Sequence, residues 1–184
     1  FRLDGATPYD RAGTSVSDAG DVNGDGFDDL IVGATYADGN GDGSGASYVV
    51  FGKASGFDAA MNLSGLDGSD GFRLDGVAEG DRSGLSVSTA GDVNGDGFDD
   101  VIVGAAFADP NDSSFLNFAG PGASYVVFGK ASGFDAAITL SSLNGSNGFR
   151  LDGVAEYDLS GKSVSTAGDV NGDGFDDLII GAAD

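Results

Sequence analysis

The stretch GDVNGDGFDDLIVGA, from Gly20 to Ala34, decides how this chain is to be read. It returns as GDVNGDGFDDVIVGA from Gly91 to Ala105 and as GDVNGDGFDDLIIGA from Gly168 to Ala182. A second landmark, FRLDG, starts at Phe1, Phe72 and Phe149, so both landmarks advance first by 71 residues and then by 77. A third, ASYVVFGKASGFDAA, starts at Ala46 and Ala123, which places a six-residue insertion between Asp109 and Gly122. Self-similarity at a fixed period, with extra residues confined to one loop, is the pattern of a repeat architecture.

Each period reads as four short strands. Ser15–Asp18 is the first, and Asp29–Ala34 with its apolar centre Leu30, Ile31, Val32 is the second. Ser47–Phe51 is the third, and Phe72–Leu74, or Phe1–Leu3 in the preceding copy, is the fourth. A run of β-branched and Leu residues bounded by Asp and Gly suits a strand buried on both faces. Ala60–Leu63 and its counterpart Ala137–Leu140 are expected to add an edge strand, and no stretch has helical periodicity. The expected fold is all-β, built of β-propeller blades of four antiparallel strands, with a linear β-solenoid as the alternative. Residues 1–10 are expected to close a preceding blade, 11–81 and 82–158 to be whole blades, and 159–184 to begin a further one. A propeller needs about four to eight blades. The chain is therefore expected to be an incomplete propeller, either a piece of something longer or one of several assembling copies.

Composition narrows the chemistry. The 184 residues hold 8 Lys and Arg against 30 Asp and Glu, for a formal net charge of -22. Such a chain repels nucleic-acid phosphates and anionic lipid surfaces. There is no apolar run of the roughly 18 residues that a membrane helix needs, nor a basic-then-apolar leader. Neither nucleic-acid binding nor membrane insertion is expected. With no Cys and no His, thiolate nucleophiles, zinc-cysteine sites and the usual general base are missing. Of the 30 acids, 28 are Asp; the two Glu are Glu79 and Glu156. Asp favours turns and is a short-armed ligand for hard cations.

The candidate site is the nine-residue loop DVNGDGFDD, whose pattern is DxNxDGxxD. Its side-chain oxygens fall at positions 1, 3, 5 and 9, and position 7 can offer a backbone carbonyl. These are Asp21, Asn23, Asp25, Phe27 and Asp29 in the first copy. The second copy supplies Asp92, Asn94, Asp96, Phe98 and Asp100, and the third Asp169, Asn171, Asp173, Phe175 and Asp177. Alternate residues of a tight loop project toward a common centre, and Gly at position 6 permits the reversal. An all-oxygen set with three carboxylates wants a hard cation, and a flexible loop favours Ca²⁺ over the stricter Mg²⁺. Asn-Gly and Asp-Gly hairpin turns would explain two of these residues, but not four oxygen donors at fixed spacing repeated three times. Position 12, an EF-hand Glu, is Val32, Val103 and Ile180 here. One Ca²⁺ per loop is expected, three in all, raising the formal charge by two units each from -22 to -16. The loops read as separate sites, so Asp25→Ala is expected to weaken the first alone.

The run GTSVSDAGDVNGDGFDDLIVGA, from Gly13 to Ala34, resembles the FG-GAP repeat of the integrin α-subunit propeller. The resemblance covers essentially the whole chain. It differs at the Phe of the FG pair, which is Ala12, Ser83 and Ser160 here, and in the GAP triplet, which reads GAT at Gly33 and GAA at Gly104 and Gly181. The resemblance implies that a calcium loop joins the first and second strands of each blade and that a protein or glycan ligand binds the opposite face. It also implies a secreted or cell-surface location; the regular, Asp-rich copies are most similar to arrays in large secreted bacterial proteins.

Other motifs read as structural. Asp38, Asn40 and Asp42 repeat the first half of the loop, but position 9 is Ala46, so a solvated turn is expected. Gly161-Lys162-Ser163 resembles the end of a phosphate loop without the Gly required five residues earlier, where Glu156 stands. Glu79 and Glu156 recur at one place in successive repeats and read as solubilising. Tyr48, Phe51, Tyr125 and Phe128 read as core, and the inserted Phe115, Leu116 and Phe118 as a cap on a blade edge. The expected function is a calcium-stabilised extracellular scaffold or adhesion module without catalysis. The alternatives are an accessory region of a secreted hydrolase and a spacer in a giant surface protein.

Overall fold

The structure, a computed structural model, describes residues 1–109 and 120–183. The expected cap at Phe115, Leu116 and Phe118 lies outside the described residues. Among the described residues thirteen strands follow in order. The first repeat contains β2 (Ala12–Gly20), β3 (Asp29–Ala34), β4 (Ala46–Val50), β5 (Ala60–Asn62) and β6 (Gly71–Asp75), preceded by β1 (Arg2–Asp4). The second contains β7 (Ser86–Gly91), β8 (Asp100–Ala105), β9 (Ala123–Val127), β10 (Ala137–Thr139) and β11 (Gly148–Asp152), and the third opens with β12 (Ser163–Gly168) and β13 (Asp177–Gly181). Among the described residues there is no α-helix, only single 3-10 turns at Leu63–Gly65 and Leu140–Ser142.

Each whole repeat is a four-stranded antiparallel meander, β2-β3-β4-β6 and β7-β8-β9-β11. The first strands β2, β7 and β12 lie beside one another, so the sheets stand in a row without closing into a ring. This is the incomplete propeller expected from the sequence; antiparallel meanders exclude the solenoid. β3 and β8 are buried almost throughout, as their apolar centres require, with Ile31 and Ile102 fully enclosed.

Neighbouring inner strands approach so closely that a side chain is excluded. Ser15 Oγ donates to the Gly84 carbonyl at 2.8 Å, and Ser86 Oγ to the Gly161 carbonyl at 2.7 Å. A Cβ on Gly33 or Gly104 would collide with those same carbonyls, which explains the glycine of the LIVGA run in packing terms.

The expected edge strands exist, but each attaches to the neighbouring repeat. β5 pairs in parallel with β1, and β10 pairs in parallel with β6, registering Ile138 opposite Leu74. The excursion between third and fourth strands thus reaches back to the outer edge of the preceding sheet, covering an edge that would otherwise expose unpaired backbone groups. An aromatic plug completes the joint. Phe134 stacks on Phe72 with ring centroids 4.6 Å apart, and Phe51 stands 5.3 Å from Phe134. Tyr48 and Tyr125 are core residues, as expected.

Candidate metal centres

The three Asp-rich loops connect β2 to β3, β7 to β8 and β12 to β13, so each site residue is placed by the ends of a tight antiparallel pair. In the first loop, Asp21 receives the N–H groups of Asp25 at 3.0 Å and Gly26 at 2.9 Å. Asn23 Oδ1 receives the Asp25 N–H at 2.9 Å, and Asp25 Oδ1 receives the Phe27 N–H at 3.0 Å. The second loop repeats this arrangement with Asp92, Asn94 and Asp96, and the third with Asp169, Asn171 and Asp173. As placed, no three acidic side chains among the described residues form a metal-holding cluster. The oxygens of positions 1, 3 and 5 are turned onto the loop's own backbone.

Position 9 is different. Asp29 and Asp100 are fully buried, at 0% exposure. Asp29 accepts from the N–H groups of Val22 at 3.0 Å and Gly52 at 2.8 Å, and Asp100 from those of Val93 at 3.1 Å and Gly129 at 2.9 Å. Burial pushes Asp29 up to about 6 and Asp100 up to about 7, against the pull of those hydrogen bonds; the carboxylates at positions 1 and 5 push in the same direction. The first two sites thus each hold a buried carboxylate whose charged neighbours share its sign. The ion pairs of Arg2 with Asp4, Arg73 with Asp75 and Arg150 with Asp152 stand in the closing strands, away from these loops. An uncompensated buried carboxylate is costly, and a hard cation is the partner that such an oxygen set fits. In the third loop Asp177 accepts from the Val170 N–H at 2.9 Å and is only half-buried, while backbone N–H groups, Gly174's foremost, hold Asp169 below the usual carboxylate range.

Position 8, which the sequence reading left without a role, carries a second set of contacts. Asp99 Oδ2 accepts from the Asp21 N–H at 2.8 Å, and the Asp99 N–H donates to the Asp21 carbonyl at 3.2 Å. Asp176 grips Asp92 in the same way, at 2.9 and 3.2 Å. The signal was present in the sequence: Asp28, Asp99 and Asp176 add a fourth acid to every loop where three suffice for the ion. The turn at Asp38, Asn40 and Asp42 is exposed, as expected. Asp38 accepts from the Gly43 N–H at 2.7 Å, and Asn40 donates to the Gly76 carbonyl at 2.6 Å.

Three inner strands, each followed by the same loop and a second strand, agree with what comparison of whole sequences finds. The FG-GAP repeat family matches residues 12–50, 83–127 and 160–184, more than half of the chain. The chain belongs to the FG-GAP repeat family. Integrin alpha-PS5 of Drosophila melanogaster is 33% identical over 167 residues, which is 89% of this chain and 14% of that protein. Integrin alpha-5 of Xenopus laevis is 31% identical over 177 residues, covering 92% of this chain and 14% of its own length. The phosphatidylinositol-glycan-specific phospholipase D of Bos taurus is 32% identical over 176 residues, 95% of this chain and 19% of that protein. This FG-GAP chain therefore spans less than a fifth of each of these relatives. Among the described residues no helix is long and apolar enough to cross a membrane.

Proposed function

We propose that this FG-GAP chain is a calcium-stabilised extracellular module for adhesion or scaffolding, with each Asp-rich loop holding one Ca²⁺. The observation that carries the reading is the buried, like-charged setting of Asp29 and Asp100 within two copies of an all-oxygen loop. The ion would be held by the side chains at positions 1, 3, 5 and 9 and by the carbonyls of Phe27, Phe98 and Phe175. Bound Ca²⁺ supplies positive charge that offsets carboxylate repulsion. The chain's own residues do the rest, bringing the ends of two strands together and fixing the hairpin between them. The blade face opposite these loops is then left for a protein or glycan ligand. Further blades, of a longer chain or of other copies, would extend the row. A secreted or cell-surface location belongs to the same proposal, as does a bacterial source, since weak affinity of about 0.1–1 mM suits extracellular calcium.

The likeness to a phospholipase D favours a second reading, an accessory region of a secreted hydrolase. The chain has no His or Cys to supply a nucleophile and base, so in that setting too it would support catalysis performed elsewhere.

The test is a pair of thermal melts, in Ca²⁺ and in EDTA. Ligand present at 100 times its Kd stabilises by about 2.7 kcal/mol per site. For a chain of this size each kcal/mol moves the midpoint by roughly 2–4 °C, so chelation should lower it by at least about 5 °C. An unchanged midpoint refutes the calcium reading.

A further inference from the structure

We propose that Asp99 and Asp176 are positioning residues that couple calcium binding between neighbouring loops. The inference rests on the calcium reading above and adds to it a direction and a route.

Asp99 lies between two proposed ligands of its own loop, the Phe98 carbonyl and the Asp100 carboxylate. Its own side chain serves the preceding loop. Its carboxylate and its N–H together occupy both backbone polar groups of Asp21, which is the first ligand there. The Phe98 ring lies against Gly24, whose φ of +71° and missing Cβ leave the room it fills. A second link runs alongside. Gly129 donates its N–H to Asp100 at 2.9 Å, and the adjacent Lys130 N–H donates to the Val22 carbonyl at 2.9 Å. One peptide segment thus holds position 9 of the second loop and position 2 of the first. Asp176 and Phe175 repeat the first of these links on Asp92 and Gly95.

An ion that draws in the Phe98 carbonyl and Asp100 fixes the residue between them, and with it the backbone of Asp21. The first loop then has less disorder left to lose when its own ion arrives. Ordering shared in this way gives positive cooperativity, and linkage makes it reciprocal. The loops would then bind in concert, in place of the three separate sites expected from the sequence. The first and second loops are each gripped in this way by the repeat that follows.

The test is a Ca²⁺ titration of the full chain, followed by the backbone amide resonances of Gly26, Gly97 and Gly174, which read the loops separately, with calorimetry for the number of ions. The expected result is a Hill coefficient above one, with Gly26 and Gly97 titrating together. Removing a ligand from the second loop with Asp96→Ala should weaken binding at Gly26 by about fivefold or more. Asp99→Ala, which removes no ligand, should weaken Gly26 similarly. Asp99→Asn, which keeps an oxygen for the Asp21 N–H, should restore it. Should Asp99→Ala not fold, the effect of Asp96→Ala on Gly26 decides alone. Three ions bound with a Hill coefficient of one, and Gly26 unmoved by Asp96→Ala, overturn the coupling while leaving the calcium reading intact. Absence of any bound ion overturns both.

Discussion

Replacing Phe134 by Ala tests whether the repeats are joined mainly by the aromatic plug between them. Phe134 belongs to the second repeat but is 8% exposed because it sits between Phe72 and Phe51 of the first, which are 0% and 6% exposed. Truncating a buried Phe costs about 3–5 kcal/mol through lost transfer and the cavity left behind, and a stacked ring pair contributes about 1 kcal/mol beyond area. The counterpart one repeat earlier is an internal control. Phe57 stacks on Phe1 at 4.1 Å, but Phe1 is 60% exposed, so much less apolar surface leaves water there. Phe57→Ala should cost about 1–2 kcal/mol on the same area scale. Urea unfolding in saturating Ca²⁺ measures both. Phe134→Ala is expected to lose at least about 2 kcal/mol more than Phe57→Ala, equivalent to roughly 4–8 °C in a thermal melt. Equal losses would show that the parallel pairing of β10 with β6 holds the joint without the ring, and the reasoning would fail.

The loop glycines give a graded prediction. Gly97→Ala meets open space and should cost about 1–2 kcal/mol for its left-handed backbone alone; Gly95→Ala also overlaps the Phe175 ring and should cost more, with the excess relieved in a Gly95→Ala, Phe175→Ala double variant. At position 8, Asp28→Ala alters an exposed side chain and should change stability by less than about 0.5 kcal/mol, whereas Asp176→Ala strips the acceptor from the Asp92 N–H and should cost about 1–3 kcal/mol in the same denaturation assay. Away from the loops, burial pushes Asp81 up to about 6, above its unfolded value of 3.8, so its ionised form is penalised in the fold. That penalty is absent below 3.8, grows as pH rises and is complete above about 6. Asp81→Asn, which keeps an acceptor for the Ala78 N–H, should therefore stabilise by at most about 3 kcal/mol at pH 7.5 and by almost nothing near pH 3; a benefit independent of pH would contradict the assignment.

Legibility from sequence followed the range of the interaction. β3 and β8 were readable because a buried strand needs an unbroken apolar run, and Leu30-Ile31-Val32 between Asp29 and Gly33 supplies one. The candidate ligands were readable because ligation by a single loop fixes their spacing within nine residues. The attachments between repeats were not. Asp99 and Asp21 are 78 residues apart, and Asp176 and Asp92 are 84 apart, so nothing local names the partner. β5 was foreseen as a strand, yet three residues with one half-buried side chain carry no instruction about which sheet they will extend. Phe134 has the same difficulty. It follows Ser132 and Gly133 outside any strand, and only the neighbouring repeat makes it core.

Near-identity of the loops fits a chain whose second loop serves in two directions at once. A metal loop standing alone would need its oxygens at positions 1, 3, 5, 7 and 9 and would leave positions 4 and 8 free. Here Gly95 must accept Phe175 from the repeat that follows, while Phe98 and Asp99 must fit Gly24 and Asp21 of the repeat that precedes. A change at position 4 or 8 in one copy can be absorbed only by a matching change in its neighbour, which in turn disturbs the next. Side chains facing solvent escape this restriction, and the chain varies there: the exposed Pro8 corresponds to the exposed Glu79 and Glu156 of the later repeats. Constancy of Phe98-Asp99 and Phe175-Asp176 is thus a packing requirement handed from repeat to repeat, laid over the oxygen spacing that any one ion would demand.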